Sequence, residues 1–331
     1  MSEPMPVPPA VPSEFEDMAR TQMSVQDQLL SIQSVVGVAL GRKLVSGQET
    51  NDRAIVVLVE DKLAEAVLPA TDVVPHAIGG IPTDVQAIGK LRAGPQPLAT
   101  VEAIALVKRT RPVLGGVSVG HPAITAGTVA TGCYDASAFP GSPGRFYLLS
   151  NNHVLADTNK AAVGDAILQP GRYDGGTAEA DTIGRLSRFV PIQFLDGSAT
   201  PPVNEVDAAL AEVDLSDLDR RIHWVGNLRG VVATPAVDLL VSKCGRTTGF
   251  TTGRIVNINA TVDVNYGDGR VARFVGQLIT TPMSAPGDSG SLVADLHGHA
   301  VGLLFAGSTR ATVVNPIEAV QRLLGVKVAD G

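Results

Sequence analysis

Apolar and polar positions follow two different textures along the chain, and the change falls near residue 111. In the first stretch Phe15, Met18, Met23, Leu29, Leu30 and Ile32 recur at spacings that supply much of one helical face, which predicts an amphipathic helix over 14–33. Ser13, followed three positions later by Glu16, has the pattern of a capping box at its start. Two β-rich runs come next, 35–40 and 54–59, separated by Gly47, Asn51 and Asp52. A short helical segment over 61–67, closed by Pro69, and a strand over 83–88 complete a small α+β unit. The run 101–108 reads as one more strand or short helix after the linker-like Gly94-Pro95-Gln96-Pro97.

From residue 115 onward, short Val, Ile, Leu and Thr runs are broken every 8 to 15 residues by Gly, Pro, Asn or Asp, the pattern of an all-β sandwich or barrel. One set of strands is expected at 117–119, 127–134, 146–150, 166–169, 182–190 and 208–213. A second is expected at 237–243, 253–263, 270–281, 291–296, 300–305 and 312–315. Two barrels of about six strands account for this spacing, and Pro316 opens a final helix over 317–324. Five prolines between positions 4 and 12 favour an extended start. The expected organisation is therefore a disordered tail over 1–13, an α+β domain over 14–111 and a mainly β domain over 112–331.

Composition narrows the function classes. With 331 residues, 44% of them hydrophobic, the chain has material for a large core. No apolar run approaches the roughly 18 to 20 residues that cross a bilayer, so no membrane partner is expected. A net charge of −7, with the 26 basic residues scattered, leaves no stripe for a phosphate backbone, and no nucleic-acid partner is expected. The proline-rich, then acidic start lacks the basic and apolar regions of a secretory signal, which points to the cytoplasm. Cys133 and Cys244 are expected as reduced, buried thiols.

The sharpest chemical signal is Pro286-Gly287-Asp288-Ser289-Gly290-Ser291, between two predicted strands. An acyl-transfer serine needs an exposed hydroxyl on a tight turn with backbone N–H groups beside it, and flanking glycines permit that turn. Taken alone, the same residues make an ordinary polar turn. A serine also needs a base, and that base an orienting carboxylate. Ser150-Asn151-Asn152-His153 puts His153 just after an apolar strand, and Val206-Asp207-Ala208-Ala209 puts Asp207 at the entrance of another. Asp181 and Asp238 also flank strands and are alternatives to Asp207. His297 and His299 read as a hairpin tip rather than a metal site, with no carboxylate or cysteine cluster to complete one. Gly249 and Gly253 read as bends.

Together SNNHVLA, VDAALAEV and GDSGS, followed by VGLLFAG, resemble the trypsin-like serine peptidases of the chymotrypsin clan, whose triad runs His, Asp, Ser along the chain. Through GGVSVG, QPGRYDGG and GRTTGFTTGRI the chain looks closest to intracellular bacterial members with an N-terminal extension and to plant Narrow Leaf proteases. The resemblance implies a chymotrypsin-like pair of antiparallel six-stranded barrels over 112–331, carrying an N-terminal α+β domain and a C-terminal helix. It implies a serine endopeptidase acting on protein or peptide substrates through His153, Asp207 and Ser289, with no cofactor and an oxyanion hole from the Gly287 and Ser289 N–H groups. It places Met283 at the floor of an apolar specificity pocket and gives Phe305-Ala306-Gly307 the role of pairing with substrate backbone. A homo-oligomer is suggested by the same likeness. Arg111-Pro112 disfavours an activating cleavage, so Asp288 is expected to find its partner within the uncut chain. The rival reading is a peptide-binding or scaffolding protein that keeps the fold without turnover. Val154, rather than cysteine, follows His153, no PDZ-like segment follows the second barrel, and the N-terminal unit has no counterpart in digestive enzymes.

Overall fold

The computed structural model describes residues 10–94, 104–136 and 143–330. Most of the tail, the Pro95–Pro97 linker and the start of the 101–108 segment lie outside the described residues.

Helix α1 (Glu16–Leu30) follows a single 3-10 turn at Ser13–Phe15. Neither Ser13 nor Glu16 forms the expected capping box, because Pro12 occupies the N-cap position of that 3-10 turn and no side chain caps it. Phe15, Met18, Leu29 and Leu30 are buried, whereas Met23 faces solvent and Gln22 takes an inward place. The Gln22 amide is satisfied there, donating to the carbonyls of Val38 (3.0 Å) and Asn259 (2.9 Å). Strands β1 (Val35–Val45) and β2 (Gln48–Val59) form an antiparallel hairpin, and β3 (Ile81–Ala87) pairs with β2 in parallel. The helix expected over 61–67 is reduced to a 3-10 turn at Glu65–Val67.

The first barrel is built on β4 (Gly132–Asp135), β5 (Phe146–Ser150), β6 (Ala166–Leu168), β7 (Thr182–Phe189) and β8 (Ala209–Val213). These pair antiparallel in the order β6-β7-β8-β5-β4. The short Ser118–Val119 strand, paired with Gly127–Thr128, reaches β6 through a bridge between Gly120 and Leu168 and closes the ring. The second barrel comprises β9 (Leu240–Gly245), β10 (Gly249–Asn265), β11 (Val271–Thr280), β12 (Leu292–Asp295), β13 (His299–Gly307) and β14 (Thr312–Pro316). Its order β11-β14-β13-β12-β9-β10, with β10 pairing back onto β11, is a closed antiparallel ring of six strands. A short helix at Asn152–Leu155, α2, follows β5, and α3 (Ile317–Leu324) follows β14. Val326–Lys327 then crosses back to pair with β4, tying the two barrels together.

The texture change near residue 111 does not separate two sheets. β10 extends past the end of β9, and β1 takes the vacated edge, with Gly37 opposite Val262 and Gly41 opposite Asn257. Gly41 has no room for a side chain, since a Cβ would lie 2.9 Å from the Val256 backbone carbonyl oxygen. One buried cluster accordingly mixes Val38, Leu40, Ile55 and Val57 with Ile255, Leu278, Val293 and Val314.

Candidate active site

The register of two strands creates the first half of the site. Ala209 of β8 faces Ser150 of β5, so the residue two positions before one strand and the residue three positions after the other meet at the barrel end. Asp207 and His153 are those residues. His153 rides on α2, and the Asn151 side chain before it donates to the Asp207 carbonyl at 2.7 Å. The His153 Nδ1 lies 2.6 Å from Asp207 Oδ2, and the His153 backbone N–H donates to Oδ1 at 3.2 Å. A carboxylate at Nδ1 holds the proton on that nitrogen and leaves Nε2 free to accept.

Asp207 has no exposed surface, and its other contacts come from the second barrel. The Tyr266 hydroxyl donates to Oδ2 at 2.8 Å, and the Asp207 N–H donates to Asn315 Oδ1 at 3.1 Å. Asn315 is itself fixed, donating to Gln277 Oε1 at 2.7 Å. Burial first, and then the neighbouring Asp207 charge, push the Tyr266 phenol well above its ordinary value, so it stays a donor.

Ser289 stands on a turn made by Asp288 N–H bonding back to Ala285 (3.0 Å) and Ser291 N–H bonding back to Asp288 (3.0 Å). Gly287 (φ 100°) and Gly290 (φ 94°) adopt the left-handed conformations this turn requires. A Cβ at Gly290 would lie 2.1 Å from Ser150 Oγ and 2.3 Å from the Thr128 carbonyl, so the turn is pressed against the first barrel. Thr128 clamps it from that side, donating through N–H to the Ser289 carbonyl and through Oγ1 to the Gly287 carbonyl, each at 2.8 Å. Among the described residues no acceptor takes the Gly287 or Ser289 N–H. Ser289 and His153 line one small crevice with Gly287, Val154, Thr125 and Gly94.

The expected substrate-binding residues divide. Ala306 and Gly307 line a cleft of about 400 Å³ that opens at Ser289. Met283 does not: it is 4% exposed and packs among Val241, Ile255 and Val293. The Phe305 side chain is fully buried against Phe274 and is not among the residues lining this cleft. The expectation of a Met283 floor is therefore corrected; the next residue, Ser284, faces the cleft instead. Gly307 is also not free to pair with substrate. Its carbonyl accepts from Arg92 N–H at 3.0 Å and its N–H donates to the Arg92 carbonyl at 3.1 Å.

The alternatives are placed elsewhere. Asp238 pairs with Arg42 and Arg254, Asp181 with Arg109, and neither touches His153. His299 contacts Asp295 at 3.0 Å on its hairpin, and no group of three metal-ligating side chains occurs among the described residues. Cys133 and Cys244 are buried free thiols, pushed up by desolvation to about 12 and about 11 respectively.

Several contributors escaped sequence reasoning. Tyr266 follows the end of a strand in a turn-rich stretch, with no local mark of function. Lys243 is a lone charge in a strand of apolar pattern, a signal that a buried partner exists; that partner is Asp288. Lys90 and Arg92 reach the cleft from a segment more than 190 residues before Ser289.

No protein-family model matches the chain, and no curated protein matches it. Among solved structures the chain is similar to Thermobifida fusca protease A, at 15% identity and TM-score 0.46 over 66% of this chain and 99% of that one. It is similar to Nocardiopsis protease at 17% identity and TM-score 0.44, and to Cellulomonas bogoriensis chymotrypsin at 16% and 0.42. Each of these two alignments covers 65% of this chain and 97% of the other.

Proposed function

We propose that the protein is a serine peptidase that cleaves peptide bonds through an acyl-enzyme intermediate. The observation that carries this reading is the fully buried Asp207 carboxylate 2.6 Å from His153 Nδ1, on an imidazole that shares a crevice with Ser289. His153 takes the Ser289 proton as Oγ attacks the carbonyl carbon, then delivers it to the leaving amine. Asp207 holds the tautomer and stabilises the imidazolium. The tetrahedral oxyanion is received by the unengaged Gly287 and Ser289 N–H groups, each worth about 3 kcal/mol in such sites. The second half-reaction repeats the steps with water.

Incubation with an uncharged fluorophosphonate tests this reading, because phosphonylation requires an activated serine. Stoichiometric labelling at Ser289, absent in Ser289→Ala, is expected. A folded protein that stays unlabelled would instead be a peptide-binding scaffold on the same fold.

A further inference from the structure

The cleft at Ser289 has a wall that the second barrel does not supply. Residues 89–94 leave the N-terminal unit and run between β13 and the end of β10. Six backbone hydrogen bonds hold the run from Ile88 to Ala93. Ile88 N–H donates to Val59 (2.9 Å), Gly89 N–H to Glu60 (3.1 Å) and Ala93 N–H to Asn265 (3.0 Å). Asn265 N–H returns to Leu91 (3.1 Å), and the reciprocal Arg92–Gly307 pair completes the set. Side chains alternate as in a strand: Leu91 and Ala93 are buried at 1% and 4% exposure, whereas Lys90 and Arg92 point outward and line the cleft. The wall is fixed, since displacing it would expose two apolar side chains and unpair the backbone on both flanks.

The rest of the cleft around Ser289 is uncharged, formed by Ser284, Ala285, Pro286, Leu304 and Ala306. No carboxylate lines it among the described residues. Arg92 has no ion-pair or hydrogen-bond partner for its guanidinium among them, and the only one for Lys90 is Glu60, at 4.0 Å. Two cations facing an uncharged cleft with no internal counter-charge favour a carboxylate in that space over an apolar or cationic group.

Resting on the Ser289 reading, we infer that Lys90 and Arg92 are specificity-determining residues and that the enzyme selects an acidic side chain, Glu or Asp, on the residue whose carbonyl Ser289 attacks. This replaces the apolar preference implied by a Met283 floor.

The test compares acetyl-Ala-Ala-Glu, acetyl-Ala-Ala-Leu and acetyl-Ala-Ala-Arg aminomethylcoumarin amides at low ionic strength, where exposed cations are least screened. The glutamyl substrate is expected to have a kcat/KM at least tenfold above the leucyl one, with the arginyl one lowest. Lys90→Gln/Arg92→Gln should erase the preference, and Lys90→Glu/Arg92→Glu should invert the order of Glu and Arg. A second arm needs no turnover: calorimetric binding of the free acids acetyl-Ala-Ala-Glu and acetyl-Ala-Ala-Leu to Ser289→Ala protein. Binding of the glutamyl peptide at least tenfold more tightly, lost in the double Gln variant, supports the inference. Equal binding, preference for leucine, or a preference indifferent to both double variants overturns it. Failure of the fluorophosphonate to label Ser289 would sink the hydrolytic reading while the binding arm still decides the acidic selection.

Discussion

The Lys243 ammonium lies 3.2 Å from the Asp288 carboxylate, and neither side chain has any exposed surface. Asp288 immediately precedes Ser289, the proposed nucleophile. Its carboxylate also accepts from the N–H groups of Thr247 (2.9 Å), Thr248 (3.1 Å) and Ala285 (3.0 Å) and from the Thr248 hydroxyl (2.6 Å). Burial holds Lys243 below its ordinary value, and the Asp288 charge and hydrogen bond oppose that shift. The Ser289 turn is thus braced from within the uncut chain. Arg111, at the one site that looks like an activation point, is held to Gln169 Oε1 at 2.5 Å and is followed by Pro112. Intact-mass measurement of probe-labelled enzyme should find the full-length chain; labelled protein present only as a species starting at Val113 would reverse this conclusion. Lys243→Met leaves Asp288 as an unpaired buried charge, so a loss of about 3 to 5 kcal/mol in urea unfolding is expected, together with loss of labelling.

In the proposed mechanism Ser289, His153 and Asp207 act as one unit, so their removals should not add. Ser289→Ala should lower peptide hydrolysis by about 10⁶-fold, and adding His153→Ala should cost little more. Asp207→Ala is expected to be milder, about 10⁴-fold. Single-turnover assays on pure protein check this, and wild-type turnover by the serine variant would end the mechanism.

In the proposed mechanism Tyr266 is a positioning residue: it touches Asp207 and does not line the crevice shared by His153 and Ser289. Tyr266→Phe keeps the ring packing against Phe274 and Phe194 and deletes only the hydroxyl. One hydrogen bond to a buried carboxylate is worth about 1.5 to 3 kcal/mol. A kcat fall of roughly tenfold or more with an unchanged KM is expected. A change confined to KM, or none, would show that the hydroxyl does not position the triad.

Most strand runs of both barrels were legible because each is a short apolar stretch bounded by turn residues, as at 146–150; the expected 127–134 strand is instead split into Gly127–Thr128 and Gly132–Asp135, and the helix over 317–324 falls where the pattern puts it. The candidates His153, Asp207 and Ser289 stood out by different marks: His153 just after an apolar strand, Asp207 before the small residues that enter another, and Ser289 between the glycines of a tight turn. The attachment of β1 to β10 left no local trace, because a pairing between Gly41 and Asn257 depends on an unoccupied edge and not on either segment's own pattern. Met283 was placed by position relative to Ser289 alone. Its side chain instead fills the space over Gly253, where a Cβ would lie 2.8 Å from its sulfur.

Asp238 links the hairpin to the second barrel, accepting from Arg42 Nε at 2.8 Å and pairing with Arg254, which also holds Glu49. Burial alone would raise its carboxyl, but the Arg42 and Arg254 hydrogen bonds and charges outweigh burial and hold it below 3.8. A depressed carboxyl contributes stability above its unfolded value that is lost as pH falls through the folded one. Wild type should therefore melt about 1 to 2 °C above Asp238→Asn at pH 7, the effect being small because the group is part-exposed. As pH falls through the depressed folded-state value the two melting curves should converge. A difference that persists undiminished in acid would show that the contribution does not come from this ionisation.

Removal of the N-terminal unit should destroy more than an accessory. Val38, Ala39, Leu40 and the whole of Ala54–Leu58 have no exposed surface, and they pack against Ile255, Ile258, Val262 and Phe274 of the second barrel. A chain starting at residue 104 would expose that apolar face and leave the β10 edge from Asn257 to Val262 unpaired, a template for association. It would also lose the Lys90–Arg92 wall. Such a truncation is expected to be recovered only in aggregated form, and not to be labelled by fluorophosphonate after refolding. A soluble, monomeric and labelled 104–331 fragment with a cooperative melt would show that the second barrel stands without its added hairpin.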